Sequence, residues 1–391
     1  MSRSLLFRER GLEKTVRLSK SSTARPRRLT TLFLALAVFG SAIGCTKRGD
    51  SGTSSDNQKS ATGAAGKDAE NREVHLAIWA NYLSPEMQRK FTESTGIKIR
   101  VSNYSSNEEL LAKVQAGATG IDVAVPSDYM VEVMTKSGFL RPLDVAKIPN
   151  KDGLAESFLK QEYDPENKFS LPYAWTTAGI AVNRDLFKGS IKGWKDLFTQ
   201  KELNGKIALL DDARETIALA LKFNGFSVNT AKSEELNKAK ETLKELRGRV
   251  KMFRSDSIDP LVNKEIIVAH AYSPDALQAA RKSNGKIEYI LPEEGGTRAI
   301  DNVVILKNAK NVEEAHILIN FLLSREANVS FVQSVFGGPV VVATKDLLPK
   351  ELQDNASLFP AAGTLSKFER IRDIGQATRA YDRLWTEIKS E

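Results

Sequence analysis

From residue 73 onward the apolar positions switch repeatedly between strand-like and helix-like spacing. "EVHLAIW" (73–79) reads as a strand, and "SPEMQRKFTESTG" (84–96) as a helix with Ser84 as N-cap, Pro85 at the first helical position and Gly96 at the stop. "IKIRVSNY" (97–104) is a second strand, and "SNEELLAKVQAG" (106–117) a helix opened by the capping box of Ser106 and Glu109. "IDVAVPS" (121–127) is a short buried strand running into the helix "DYMVEVMTKSG" (128–138). Strand and helix alternate throughout this run, which predicts an α/β domain with a largely parallel sheet.

A second alternating set follows. It comprises strands at 179–187, 206–211, 265–272 and 286–292, a helix beginning at Asp212 and a long charged helix at 232–250. Then come a strand at 299–306, a helical stretch at 311–335 and a C-terminal helix over roughly 366–390. No repeat at a solenoid period occurs. The pattern predicts two α/β lobes with a cleft between them, a favoured place for a small ligand.

Charge changes the picture at the N-terminus. The 391 residues carry a formal net charge of +8, which by itself points to a nucleic-acid or membrane partner. Nine basic and two acidic side chains fall within residues 1–45, which leaves about +1 for the rest of the chain. The basic excess therefore belongs to a targeting segment, and no nucleic-acid surface is expected. "RPRR" (25–28) followed by the apolar "LTTLFLALAVFGSAIG" (29–44) and Cys45 reads as a signal peptide; the other reading is a single anchoring helix, for which the run is short. Cys45 is the only cysteine, so the chain holds no intrachain disulfide and no cysteine metal cluster. Residues 46–72 are polar and Gly/Ser/Ala-rich, and read as a disordered tether.

"IALLDDARETIALAL" (207–221) puts an apolar strand straight into aspartates. Two readings fit: Asp212 and Glu215 form a capping box, or the same spacing aims both carboxylates into a cleft to hold an organic cation. Taken singly, Trp79, Tyr82, Tyr129 and Tyr272 read as core aromatics, and Asp301 as a turn former. For catalysis the signals are poor. His75, His270 and His316 are scattered, and no HExxH, GxSxG or P-loop pattern occurs. No catalytic residue, metal or cofactor is expected.

Several segments in order, "AIWANYLSPEMQRKFTESTGIKIRVSNYSSNEELLAKV", "GIDVAVPSDYMVEVMTKSGFLRPLD", "GWKDLFTQKELNGKIALLDDARE", "LPEEGG" and "DNVVILKNAKNVEEAHILINFLLSREA", resemble the spermidine/putrescine-binding proteins of bacterial polyamine ABC importers. "AIGC" (42–45) resembles a lipobox, which implies lipidation of Cys45 and its exposure as the mature N-terminus. The resemblance implies a type II periplasmic binding protein fold, one lobe holding 73–179 and 300–343 and the other 180–299 and 344–391. It implies a polyamine ligand, permease subunits in the inner membrane as partners, a monomer, and a place in the periplasm or at the outer face of the cell membrane on a lipid anchor.

A polyamine is a methylene chain with an ammonium at each end, so its receptor needs spaced carboxylates and aromatic faces. By the resemblance the binding residues are Trp79, Tyr82, Ser127, Tyr129, Asp212, Glu215, Tyr272, which replaces a family tryptophan, and Asp301. Asn81 stands where the family commonly has an acid, Ala299 where it has a tryptophan, Phe336 where it has a tyrosine, and Asp373 near a late family glutamine. Asp128 or Asp373 is a candidate to restore the missing acid. Another small cationic solute, or a sensing role with a degenerate pocket, is the alternative to polyamine capture.

Overall fold

The computed structural model describes residues 72–117, 120–361 and 363–390. The expected signal peptide with Cys45, and all of the expected tether but Arg72, lie outside them. The first elements are β1 (Glu73–Trp79), α1 (Pro85–Thr95), β2 (Lys98–Tyr104), α2 (Asn107–Gln115), β3 (Val123–Ala124), α3 (Asp128–Lys136) and β4 (Leu140–Arg141). Ser84 and Ser106 cap α1 and α2 by accepting the Met87 and Glu109 N–H groups, and Gly96 closes α1 at a φ of 71°. After them come β5 (Ser170–Asn183), α4 (Asp196–Thr199), β6 (Ile207–Leu209), α5 (Ala213–Phe223), α6 (Ser233–Arg247), β7 (Val250–Phe253), α7 (Ile258–Val262), β8 (Val268–Tyr272), α8 (Ser273–Lys282) and β9 (Ile287–Ile290). The chain ends with β10 (Arg298–Leu306), α9 (Val312–Leu322), α10 (Arg325–Val335), α11 (Lys350–Gln353) and α12 (Thr378–Ser390).

The strands form one continuous order, β2-β1-β3-β10-β5-β8-β6-β7, with β4 added to β10 and β9 to β5. Its two flanks are parallel, β2-β1-β3 and β8-β6-β7, as the alternating pattern predicts. The centre is antiparallel: β10 runs against β3 and β5, and β5 runs against β8. β5 joins the halves: Ser170–Thr177 pairs with β10, and Ala178–Val182 with β8. Separate apolar clusters fill the two sides, one around Leu76, Ile78, Phe91 and Phe331, another around Ile180, Trp194, Leu209 and Val268. Each such fully buried side chain stabilises the fold by about 1.5–3 kcal/mol.

Several expected boundaries move. The strand expected at 179–187 begins nine residues earlier, at Ser170; Pro172 masks its start, since proline cannot donate to a ladder. The register shifts at Asp301/Asn302 opposite this stretch. The helical stretch 311–335 breaks into two helices because Ser324 caps the second by accepting the Ala327 N–H. The helix at 232–250 stops at Arg247 and Val250 already opens β7, while the C-terminal helix starts only at Thr378.

The "EEGG" turn explains its own residues. The Glu294 carboxylate accepts the Trp194 and Lys195 N–H groups, and the Trp194 indole N–H donates to the Gly295 carbonyl at 2.8 Å. Gly295 sits at a φ of +93°, and a Cβ there would lie 2.3 Å from the Lys367 carbonyl oxygen. Gly295→Ala is therefore expected to destabilise the protein by roughly 1–3 kcal/mol. Chemical denaturation checks this, and an unchanged midpoint would contradict the strained turn.

Candidate functional site

The parallel strands aim their carboxyl ends at one cavity of about 340 Å³, within the range of small-ligand sites. Such ends are where open α/β sheets hold ligands. Trp79 ends β1 and Tyr104 ends β2, and the register places them side by side with ring centroids 4.7 Å apart. Tyr272, at the end of β8, brings its ring to 6.2 Å from Trp79. These three rings wall the cavity, which Tyr82, Tyr129 and Phe253 also line.

Two acid groupings face the space. Asp301, from β10 where the register shifts, accepts the Ser127 hydroxyl on one oxygen and the Tyr82 hydroxyl on the other, both at 2.8 Å. Ser127 occupies the N-cap position of α3 without capping it, and its backbone N–H is held by the Asn107 side chain. The second grouping is the start of α5. Asp212 accepts the Glu215 N–H on Oδ1 at 3.1 Å and the Tyr272 hydroxyl on Oδ2 at 3.3 Å. Glu215 does not reach back to complete the capping box; its carboxylate accepts the Thr297 hydroxyl instead. Both readings of this motif thus hold in part: Asp212 caps with one oxygen and presents the other, while Glu215 serves the cavity.

Seven carboxylates line the cavity against two guanidinium groups, Arg254 and Arg298. Burial pushes Asp301 up to about 6, against the two hydroxyl donors. It pushes Asp128 up to about 7, although Arg370 opposes the rise from 3.9 Å. Asp212 and Glu215 are both raised, first by burial; the charge of Glu108 adds to the effect on Asp212, and that of Asp212 to the effect on Glu215. Asp275 is held well above the usual range by burial and by nearby Asp256. Buried acids with hydroxyl partners but few cations are under-neutralised, and a cation entering the cavity relieves them. Among the described residues no group of three His, Cys, Asp or Glu side chains is arranged to hold a metal.

All eight residues expected to bind line this one cavity: Trp79, Tyr82, Ser127, Tyr129, Asp212, Glu215, Tyr272 and Asp301. Asp128 joins them. Three further candidates do not. Asn81 is exposed on a left-handed turn at a φ of 62°, which asparagine tolerates. Phe336 is the left-handed C-cap of α10, buried beneath the Arg281 guanidinium. Asp373 is bonded to Lys136 and the Gly375 N–H. Tyr104, Asp256 and Asp275 were missed. The first two follow the carboxyl ends of β2 and β7, a positional signal that could have found them; Asp275 lies in the first turn of α8, where an acid reads as an ordinary dipole partner.

The model for bacterial extracellular solute-binding proteins matches residues 86–360. The chain belongs to that family. This solute-binding protein is 34% identical over 325 residues to the spermidine/putrescine-binding periplasmic protein of Salmonella typhimurium, covering 82% of this chain and 93% of the relative. Among solved structures, one from Listeria monocytogenes assigned to a spermidine/putrescine ABC transporter is 34% identical with a TM-score of 0.77, over 82% of this chain and 99% of that one. A lipoprotein of Treponema pallidum is 26% identical with a TM-score of 0.70, over 82% and 100%. The fold is the periplasmic binding protein fold, two α/β halves around an interposed cleft.

The raised acids set a pH dependence for the empty solute-binding protein. A carboxylate whose folded value lies above its unfolded one contributes stability below the unfolded value, and that contribution is lost as pH rises through the folded value. For Asp301 and Asp128 the loss falls between about pH 4 and 8. Asp301→Asn and Asp128→Asn should each make the melting temperature fall less than that of the wild type across this window. Calorimetry at several pH values checks it, and parallel wild-type and mutant curves would count against the unneutralised site.

Proposed function

We propose that this chain captures a polyamine outside the cytoplasm and delivers it to the membrane subunits of an ABC importer. The observation that carries the reading is the cavity itself: two separate acid groupings, at Asp301 and at Asp212 with Glu215, share one aromatic-walled space. An ammonium at each grouping gains charge-assisted hydrogen bonds, and the methylenes between lie against Trp79, Tyr104 and Tyr272. The relatives named for spermidine and putrescine support the same ligand class. Calorimetric titration with spermidine, putrescine, cadaverine and basic amino acids tests the reading. Binding confined to amino acids would transfer it to another cationic solute, and no binding at all to a sensing role.

Export and anchoring belong to the same proposal. Residues 1–44 are removed, Cys45 is lipidated and residues 46–72 tether the domain at the membrane, in the periplasm or on the outer face of the cell. The similar Treponema pallidum protein is a lipoprotein, and among the described residues no helix is long and apolar enough to cross a membrane. Mass spectrometry of the mature N-terminus should find a diacylated or triacylated Cys45; an intact 29–44 segment would refute it. In this reading one lobe holds 73–179 with 300–358, longer than the expected 300–343, and the other 180–299 with the rest of the C-terminal part. The last crossing falls after Leu358, since Leu348 and Leu358 pack into the first lobe's core.

The acid pair allows a sharp test. Asp212→Asn keeps a good cap and removes the charge, so polyamine affinity should fall about tenfold to a hundredfold with little change in melting temperature. Glu215→Gln should behave alike, and the double mutant should be less than additive if both acids grip one ammonium. Affinity should also rise from about pH 6 to 8, because the raised acids ionise there while primary ammonium groups titrate near 10. Wild-type affinity in all three mutants would move the ligand elsewhere.

A further inference from the structure

Arg214 sits between the two acids of the motif, yet it pairs with neither. It occupies the first turn of α5, where the helix dipole disfavours a cation, and it is 4% exposed, which is costly for a charge. Its guanidinium donates to the Arg372 carbonyl at 3.1 Å and to the Asn229 side chain at 3.3 Å. Its Nε is buried without a partner. Residues one and two apart on a helix do not face each other, so Asp212 and Glu215 keep their oxygens for the cavity. A buried cation in an unfavourable place needs something to offset its cost.

The offset is aromatic. The guanidinium lies 5.5 Å from the Tyr129 ring and 4.9 Å from the Tyr381 ring. Tyr381 belongs to α12, which packs on α5 and α6, whereas Tyr129 opens α3 on the far side of the cleft. Tyr129 is itself fixed there by its hydroxyl bond to Glu108. The guanidinium thus lies over one ring from each side of the cleft, beside the acid pair. Besides Tyr129 and Tyr381, the titratable groups that feel its charge are Asp212, Glu215 and Asp373.

We propose that Arg214 is a positioning residue that latches the cleft, clasping Tyr129 of α3 to the α5–α12 side around the bound cation. Its permanent charge, close in sequence to both acids, also favours ionised Asp212 and Glu215. This rests on the cavity being a cation receptor. A planar guanidinium stacks on two rings at once, which an ammonium does not do as well. The Arg214→Met variant should therefore release spermidine about tenfold faster, and its pH profile of affinity should move to higher pH. Arg214→Lys keeps the charge and should keep the wild-type pH profile while still releasing faster.

The experiment combines stopped-flow release, calorimetric titration from pH 6 to 9 and hydrogen exchange of the ligand-free proteins. Faster exchange at 128–131 in both variants, across the cleft from the mutated residue, supports the latch. Faster exchange confined to 212–223 and 378–390 would mean that Arg214 merely packs its own side, and would overturn it. So would wild-type release and an unmoved pH profile in Arg214→Met. If the wild type binds no polyamine, the ligand reading fails, and exchange at 128–131 still decides the latch. Should Arg214→Met fail to fold, the Arg214→Lys exchange and release data decide it in the same way.

Discussion

Negative charge that the protein does not neutralise is the constraint on which the rest of the structure depends. Asp212, Glu215, Asp301, Asp128 and Asp275 are all nearly inaccessible, and burial alone would drive them to the neutral form. For Asp301, Asp212 and Glu215 the fold answers with partners that lower the cost without cancelling the charge: hydroxyls from Tyr82, Ser127, Tyr272 and Thr297, and the Glu215 N–H at the start of α5. A salt bridge to each acid would stabilise the empty protein more and leave nothing for a ligand. The under-neutralised cavity thus suits a cation supplied from outside.

Two long strands make this arrangement possible. β5 and β10 run antiparallel through the middle of the order while the flanks on either side stay parallel. The parallel flanks deliver Trp79, Tyr104 and Ser127 from one side, and Asp212 and Tyr272 from the other. The central pair delivers Thr176 and Asp301 between them. The register shift on β10 falls at Asp301 itself, in keeping with the way irregular pairing re-aims side chains beside functional sites. Glu294 and the left-handed Gly295 tie the approach to β10 onto the second half, so the strand that carries Asp301 enters from a fixed direction.

The DDARE segment shows how one short stretch serves several physical tasks. Asp212 satisfies a helix N–H with one oxygen and meets Tyr272 with the other. Glu215, freed from the capping role its spacing allows, meets Thr297 just before β10. Arg214, between them in sequence, points to the two tyrosines that close over the motif. Helical spacing separates the three directions, so neighbours in sequence work on different sides of the same helix.

Local chemistry made much of this legible in one dimension. Helix starts at Ser84, Ser106 and Asp212 follow from capping, the parallel flanks from alternating periodicity, and the eight cavity-lining positions from a family pattern laid over strand ends. What the sequence could not determine was direction and distance. It showed Asp128, Asn81, Phe336 and Asp373 as comparable candidates, and only packing separates the first, buried against the cavity, from an exposed turn, a helix cap and a surface ion pair. Pro172 hid the start of β5 because its missing N–H argues locally against a strand, while the pairing of β10 on one side imposes one. Asp275 carries no local signal that sets it apart from other helix-start acids, and Tyr104 and Asp256 have only their places at strand ends. Their roles arise when distant strands converge, because a cavity is a property of which chain ends meet, and sequence spacing records only which residues are neighbours along the chain.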